Sequence, residues 1–306
     1  MYNKKLETPA VLLISFNRPE MVKKVFNEIR KARPKRLFLF SDGPRNSDEA
    51  KRVMKVREII SNVDWLCEIK KKFSKKNLGI RKGNIEAMNW FLDNVEEGVV
   101  FEEDSIPSQD FFRFSAEMLE KYRYDERIMQ INGCNFQRGF KINDYSYYFS
   151  VYPYTYGWGF WKRSRKKFDD NMTKYPEIKK AGYISNFFRS WIERIYVKRI
   201  LNEAYTNPTA IDGRWLFASI INNGLCITPN ENLVKNIGFD KNSAHTGEID
   251  SYLSVETKKL NFPLKHPPMV MRDCIADERY IKWLMLKKLR KYFLLRTGLH
   301  RIFKII

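Results

Sequence analysis

Gly98-Val99-Val100-Phe101-Glu102-Glu103-Asp104 decides how this chain is read. The apolar residues have the composition of a short buried strand, and three adjacent carboxylates follow at its end. Like charges at the mouth of a buried strand repel one another. A hard cation such as Mg²⁺ or Mn²⁺ would reverse that cost, because it takes carboxylate oxygens and keeps positions open for phosphate. The competing reading is a solvated acidic turn, the usual place for a run of charge. The rest of the chain favours the first.

Working back from that stretch, Ala10–Phe16 is a continuous apolar run closed by Asn17-Arg18-Pro19. A helical pattern over Glu20–Ala32 follows, with Met21, Val25, Phe26 and Ile29 on one side. Arg36–Phe40 reads as a second strand, ending in Ser41-Asp42-Gly43-Pro44, and a second helix covers Ser47–Ile60. Trp65–Lys70 reads as a third strand. It is followed by the Asn77-Leu78-Gly79-Ile80 turn and a helix over Asn84–Val95. Strands alternating with helices imply an α/β, doubly wound, mostly parallel sheet. Ligands of such sheets sit outside the carboxyl ends of the strands. Those ends carry Asn17-Arg18, Asp42-Gly43 and the acidic triplet, so polar patches far apart in sequence converge on one edge.

The second half is less regular. Ile128–Asn132, Tyr147–Phe149 and Gly224–Thr228 read as strands, Gly157-Trp158-Gly159-Phe160-Trp161 as a Gly/Trp loop, and Tyr183–Ala204 and Ile211–Asn223 as helical. The expected organisation is a first half over 1–125, a second half of the same domain over 126–275, and a basic amphipathic helix over 276–306. In that last segment Ile281, Leu284, Met285, Leu289 and Tyr292 fall on one helical face, with Lys and Arg around the rest. The pattern suits a helix lying in an anionic membrane interface, or one docked on the protein's own core or on a second subunit.

A net charge of +20 points to anionic partners: nucleic acid, an anionic membrane or a polyphosphate substrate. Against nucleic acid, the chain has no RNP-like, KH or zinc motif, and the acidic triplet would repel phosphate unless a metal intervened. Cys67, Cys134, Cys226 and Cys274 form no CxxC pair, which argues against a zinc site or disulfide framework and suits reducing cytoplasm. Met1–Thr8 has no apolar core of a signal peptide, and no stretch of about 20 uncharged apolar residues occurs.

Strand–Asn-Arg-Pro, strand–Asp-Gly, Asn-Leu-Gly with Arg81-Lys82, and strand–acidic triplet occur in that order. In this the chain resembles the GT-A glycosyltransferases, which have a Rossmann-like fold. More closely, it resembles the family 2-like sugar transferases of bacterial surface-polysaccharide pathways. It is also similar to the N-acetylglucosaminyltransferase I type, whose metal motif is Glu-Asp-Asp followed shortly by Asp-Phe-Phe. Here the stretch reads Glu102-Glu103-Asp104 and then Asp110-Phe111-Phe112, so the middle acid departs from that pattern. The resemblance covers about residues 9 to 246 and is most specific over the first 112.

The resemblance implies a metal-dependent, inverting transferase in cell-surface polysaccharide synthesis. It would use a nucleotide-sugar donor, UDP-linked, and a glycan or lipid-linked acceptor, and work as a cytoplasmic protein peripheral to the inner face of the membrane. Ser15, Phe16, Asn17 and Arg18 would line the nucleotide pocket, and Asp42 would either accept a base N–H or serve its own Asp-Gly-Pro turn. Arg81 and Lys82 would meet the diphosphate or be plain surface charge. Asp104 would ligate Mn²⁺ or Mg²⁺, with Glu102 and Glu103 on ribose, metal-bound water or the cation. His245, in the closing Ser243-Ala244-His245-Thr246 segment, would complete the metal shell or be structural. Asp212 would be the base on the acceptor hydroxyl or a helix N-cap. Tyr156, Gly157, Trp158 and Trp161 would lie beneath donor sugar and acceptor or pack in the core. A nucleotidyltransferase shares the fold and the metal acids, but that class opens with a Gly-rich loop after the first strand, and Asn17-Arg18-Pro19-Glu20 has no glycine. The oligomeric state is left open by the sequence.

Overall fold

The computed structural model describes residues 6–207, 209–239 and 253–297. Its first half is a strand–helix alternation: β1 (Val11–Ser15), α1 (Pro19–Ala32), β2 (Arg36–Ser41), α2 (Ser47–Ser61), β3 (Glu68–Phe73), α3 (Ile80–Asn94) and β4 (Glu97–Glu102). Local chemistry sets the boundaries. Pro19 opens α1, where its fixed φ suits the first helical turn, while Glu20 and the Arg30-Lys31 pair complement the helix dipole at either end. The Asn46 side chain caps α2 by accepting from Glu49 N at 2.9 Å. Gly79, at φ 77°, turns the chain into α3.

The second half comprises β5 (Ser105–Pro107), α4 (Gln109–Lys121), β6 (Ile128–Asn132), β7 (Tyr147–Ser150), β8 (Trp158–Trp161), α5 (Lys162–Lys166) and α6 (Tyr175–Lys180). It continues through α7 (Tyr183–Phe187), α8 (Trp191–Thr206), α9 (Asp212–Ile221), β9 (Leu225–Pro229), β10 (Val234–Asn236) and α10 (Cys274–Thr297). The main sheet has the order β3-β2-β1-β4-β8-β6-β9-β7. β3, β2, β1 and β4 are parallel, β8 runs antiparallel to both β4 and β6, and β6 and β9 are parallel again. This is the mostly parallel α/β sheet that the alternation implies.

Alternate residues of each strand feed two apolar layers. Val11, Leu13, Leu37, Leu39, Val99 and Phe101 face α1, α2 and α4. Leu12, Phe38, Phe40 and Val100 face α3 together with Trp158, Phe160 and Trp215.

Three expectations shift. The Gly/Trp stretch is not a loop: Trp158–Trp161 is a fully buried strand wedged between β4 and β6. β3 begins three residues later than expected, because Trp65 is used before the strand, where its indole N–H donates to Pro34 O at 3.0 Å. The C-terminal helix gives its early apolar face to the body. Tyr280, Ile281 and Leu284 are buried, and Tyr280 stacks on Phe136 at 5.6 Å.

A buried ionic network fastens that helix. Asp277 accepts from Arg272 Nε at 2.7 Å, from Val151 N at 3.2 Å and from the Ser150 hydroxyl, while Arg272 also reaches Glu193 Oε1 at 2.8 Å. Removing one partner of such a network strands the others without water, at a cost of about 3–5 kcal/mol. Asp277→Ala is therefore expected to lower the unfolding free energy by that amount, read as a lower denaturant midpoint in equilibrium unfolding. An unchanged midpoint would show that the network holds nothing.

Candidate active site

A cleft of about 790 Å³ opens at the carboxyl ends of β1, β2 and β4, within the size range of small-molecule sites. Ser15, Phe16, Asn17, Arg18 and Asp42 line one side, Glu102, Glu103 and Asp104 the floor, and Tyr156, Trp158 and Asp212 the far wall. Sheet topology makes this convergence. β1 lies between β2 and β4, so three strand ends deliver their polar residues side by side.

The acidic triplet divides into distinct roles. Glu103 is buried and tied down: Phe16 N and Arg18 Nε each donate to it at 2.6 Å. Arg18 also reaches Asp104 Oδ2 from Nη2 at 2.9 Å. Burial opposes the charge on Arg18, but Asp104 and Glu103 more than offset it, and the guanidinium pKa rises. Asp104 is further held by the short β5–β10 ribbon, where Ile237 N donates to Asp104 O at 2.9 Å. A Cβ on Gly238 would lie 2.2 Å from Asp104 Oδ2, so any larger residue would have to displace the carboxylate that Arg18 holds.

Glu102, at the end of β4, is different. Burial raises its pKa to about 8, and the charges of Asp104 and Asp212 add to the effect. Asn84 Nδ2 donates to it at 3.3 Å, while the Asn84 side-chain oxygen is buried without a partner among the described residues.

Asp212 is the first residue of α9; the cap position is Ile211, which makes no side-chain cap. Thr155 Oγ1 donates to Asp212 Oδ1 at 2.8 Å across the cleft wall. Burial and the nearby Asp212 carboxylate hold the Tyr156 phenol well above its ordinary pKa, so it stays a hydrogen-bond donor. Trp158 packs edge-on to Trp215 at 5.0 Å.

Other expected residues lie elsewhere or are engaged. Trp161 points to the opposite face of β8, where its indole N–H donates to Leu119 O at 3.3 Å. Gly157, at φ 65°, packs against Val234 beside the cleft rather than lining it. Arg81 is turned to Asp170 O at 2.6 Å and Asn171 Oδ1 at 2.8 Å, and neither it nor Lys82 lines the cleft. Asp42 lines the cleft, but its carboxylate accepts from Gly43 N, Asn77 Nδ2, Leu78 N and Gly79 N, and so clamps the turn before α3. His245 lies outside the described residues.

The cleft also contains a group that sequence reading passed over. Glu49 is buried and accepts from Arg45 N at 2.9 Å, from the Arg45 guanidinium and from Asn17 Nδ2 at 3.1 Å. The bonds from Arg45 hold its carboxyl down at about 2 against the opposing effect of burial. Arg45 in turn lies 5.3 Å from the Phe16 ring centroid. The signal was present: Arg45 and Glu49 form an i,i+4 pair straight after the Asp42-Gly43-Pro44 turn.

The donors at the cleft floor are all oxygens: crowded carboxylates and an orphaned amide oxygen. Arg18 already stands there as a cation on Asp104. Such a set suits a hard cation whose remaining positions come from a bound ligand. It does not form a closed cage, since among the described residues no three acidic, imidazole or thiol groups are placed to hold one ion.

No protein-family model matches the chain. No curated protein matches it either. Among solved structures, it is similar to UDP-glucose pyrophosphorylase complexed with UDP-glucose, at 12% identity and a TM-score of 0.25. The matched region covers 48% of this chain and 63% of that one, less than two thirds of its length. A likeness this loose supports no conclusion about activity.

Glu102 gives the cleft a pH signature. A carboxyl whose folded pKa is raised stabilises the fold below its unfolded pKa, and that contribution is lost as pH rises through about 8. Ligand-free protein should therefore lose stability between about pH 5 and pH 8. Glu102→Gln should flatten that slope, and parallel slopes for the two proteins would refute the assignment.

Proposed function

We propose that the chain is a glycosyltransferase that moves a sugar from a nucleotide-sugar donor, UDP-linked, to a hydroxyl of a glycan or lipid-linked acceptor, with inversion. On this reading it works on cell-surface polysaccharide at the inner face of the membrane. The observation that carries the proposal is the meeting of Asp104 and Glu102 with Asp212 across one cleft, beside Tyr156 and Trp158.

The donor's nucleoside would lie along the β1 end, between Phe16 and Asn17, with its diphosphate toward Arg18. Asp104, with Glu102, would hold Mg²⁺ or Mn²⁺, and the bound cation would neutralise charge on the departing nucleoside diphosphate. Arg18 would contribute positive charge to the same oxygens. Asp212, oriented by Thr155, would take the proton of the acceptor hydroxyl as that oxygen attacks the sugar carbon from the face opposite the leaving diphosphate. Trp158 and Tyr156 would supply the aromatic and hydroxyl surface against which a sugar ring can lie.

A nucleotidyltransferase is the second reading, because a cationic Arg18 straight after β1 would equally suit a triphosphate. The products separate the two: a glycosyltransferase releases a nucleoside diphosphate, a nucleotidyltransferase pyrophosphate. Thermal shifts with UDP, GDP and CMP, each with Mn²⁺ or EDTA, should show stabilisation by UDP only with metal. Donor turnover should then release UDP. Asp212→Asn should keep the UDP shift but lose about 10²–10⁴-fold in turnover, whereas Asp104→Ala should lose both. Pyrophosphate release, or full transfer by Asp104→Ala, would sink the proposal.

A further inference from the structure

α10 has a second face that the body does not use. While Ala276, Asp277, Tyr280, Ile281 and Leu284 turn inward, Ile275, Arg279, Lys282, Leu286 and Leu289 recur at spacings of four and three residues and form one outward stripe. Its apolar members are strongly exposed: Ile275 72%, Leu286 66% and Leu289 59%. Phe140, 60% exposed, joins the stripe from the 138–140 turn, with the Arg279 guanidinium 4.7 Å from its ring. Arg138 fastens the same turn to the helix, 4.8 Å from the Trp283 ring. Large apolar side chains held in water among cations mark a surface built to meet something.

Charge selects the partner. From Arg279 to Thr297 the sequence carries Lys or Arg at positions 279, 282, 287, 288, 290, 291 and 296, and no Asp or Glu. Glu278, paired with Lys282 at 2.9 Å, is the acid next to the stripe. We propose that the outward stripe of α10, with Phe140, is a docking surface for an anionic lipid bilayer. Ile275, Leu286, Leu289 and Phe140 enter the acyl boundary, while Arg138, Arg279, Lys282 and Lys287 meet the headgroups. No described helix is long and apolar enough to cross a membrane, so contact here lies along the surface. Single-stranded nucleic acid fits less well, because aliphatic Ile275, Leu286 and Leu289 offer bases no stacking face.

This goes beyond the transfer reaction and is tested without it. Full-length protein is sedimented with vesicles of phosphatidylglycerol and phosphatidylcholine, and with phosphatidylcholine alone. Binding is expected to the anionic vesicles only and to weaken with salt. The Leu286→Asp, Leu289→Asp double variant should lower it by about tenfold or more. These residues are exposed, so the fold should hold, which circular dichroism checks. Leu66→Asp, at a fully exposed site in the connection between α2 and β3, should bind as the parent does. Equal binding by the double variant would show only unspecific attraction of a basic protein and overturn the surface. So would equal binding to neutral vesicles, or a dimer in light scattering that the double variant dissolves.

Discussion

The cleft depends on Arg18. The parallel pairing of β1 and β4 sets two chain ends side by side, and one of them brings three carboxylates. Without a counter-charge, Glu103 and Asp104 would be buried anions next to a third carboxyl, Glu102. The Arg18 guanidinium binds the first two through separate nitrogens, as its fork geometry permits and a lysine ammonium would not. Its backbone neighbour Phe16 N completes the tie to Glu103. The loop after β1 and the turn after β4 are thus one charged unit. That unit leaves Glu102 as the carboxyl whose charge is least compensated.

The same logic separates residues that build the cleft from those able to act in it. Asp42 and Glu49 are acidic and line it, yet both are saturated by donors from the chain: Asp42 by the turn before α3, Glu49 by Arg45 and Asn17. They set loop positions, as buried and fully bonded carboxylates do. Glu102 accepts one 3.3 Å bond from Asn84 among the described residues, and it lines the same cleft as Asp212, which accepts from Thr155. Chemistry at the cleft floor is expected from Glu102, since a reacting group must keep capacity for its substrate.

The sequence was informative where one physical rule acts alone. β1, β2 and β4 are runs of buried apolar residues, and their edges came within a residue or so of the observed ones. The convergence of their polar ends followed from topology without any knowledge of side-chain direction. The readings fell short where direction or competition decides. Trp158 and Trp161 are three apart on a strand, so they face opposite layers; read as a loop, that stretch gave no means to tell them apart. Arg81 opens α3 next to the expected phosphate site, but the carbonyl of Asp170, from a loop 89 residues away, captures it. The β5–β10 ribbon is too short for its period to show, although it positions Asp104.

β8 is the element that turns a nucleotide-binding sheet into a two-walled cleft. By running antiparallel between β4 and β6, it reverses the chain so that Thr155 and Tyr156 arrive at the same edge as Glu102. Its alternation then places Trp158 and Phe160 in the α3-side layer, where Trp215 packs on both. Trp215 lies on the first turn of α9, so this aromatic contact fixes the start of that helix and with it Asp212. The distance between the acid floor and Asp212 is therefore set by buried ring packing rather than by a flexible loop. Aromatic packing of this kind resists small displacements, because interiors are close-packed and even a lost methylene is felt. The cleft can thus hold like charges near one another without the repulsion prising its walls apart.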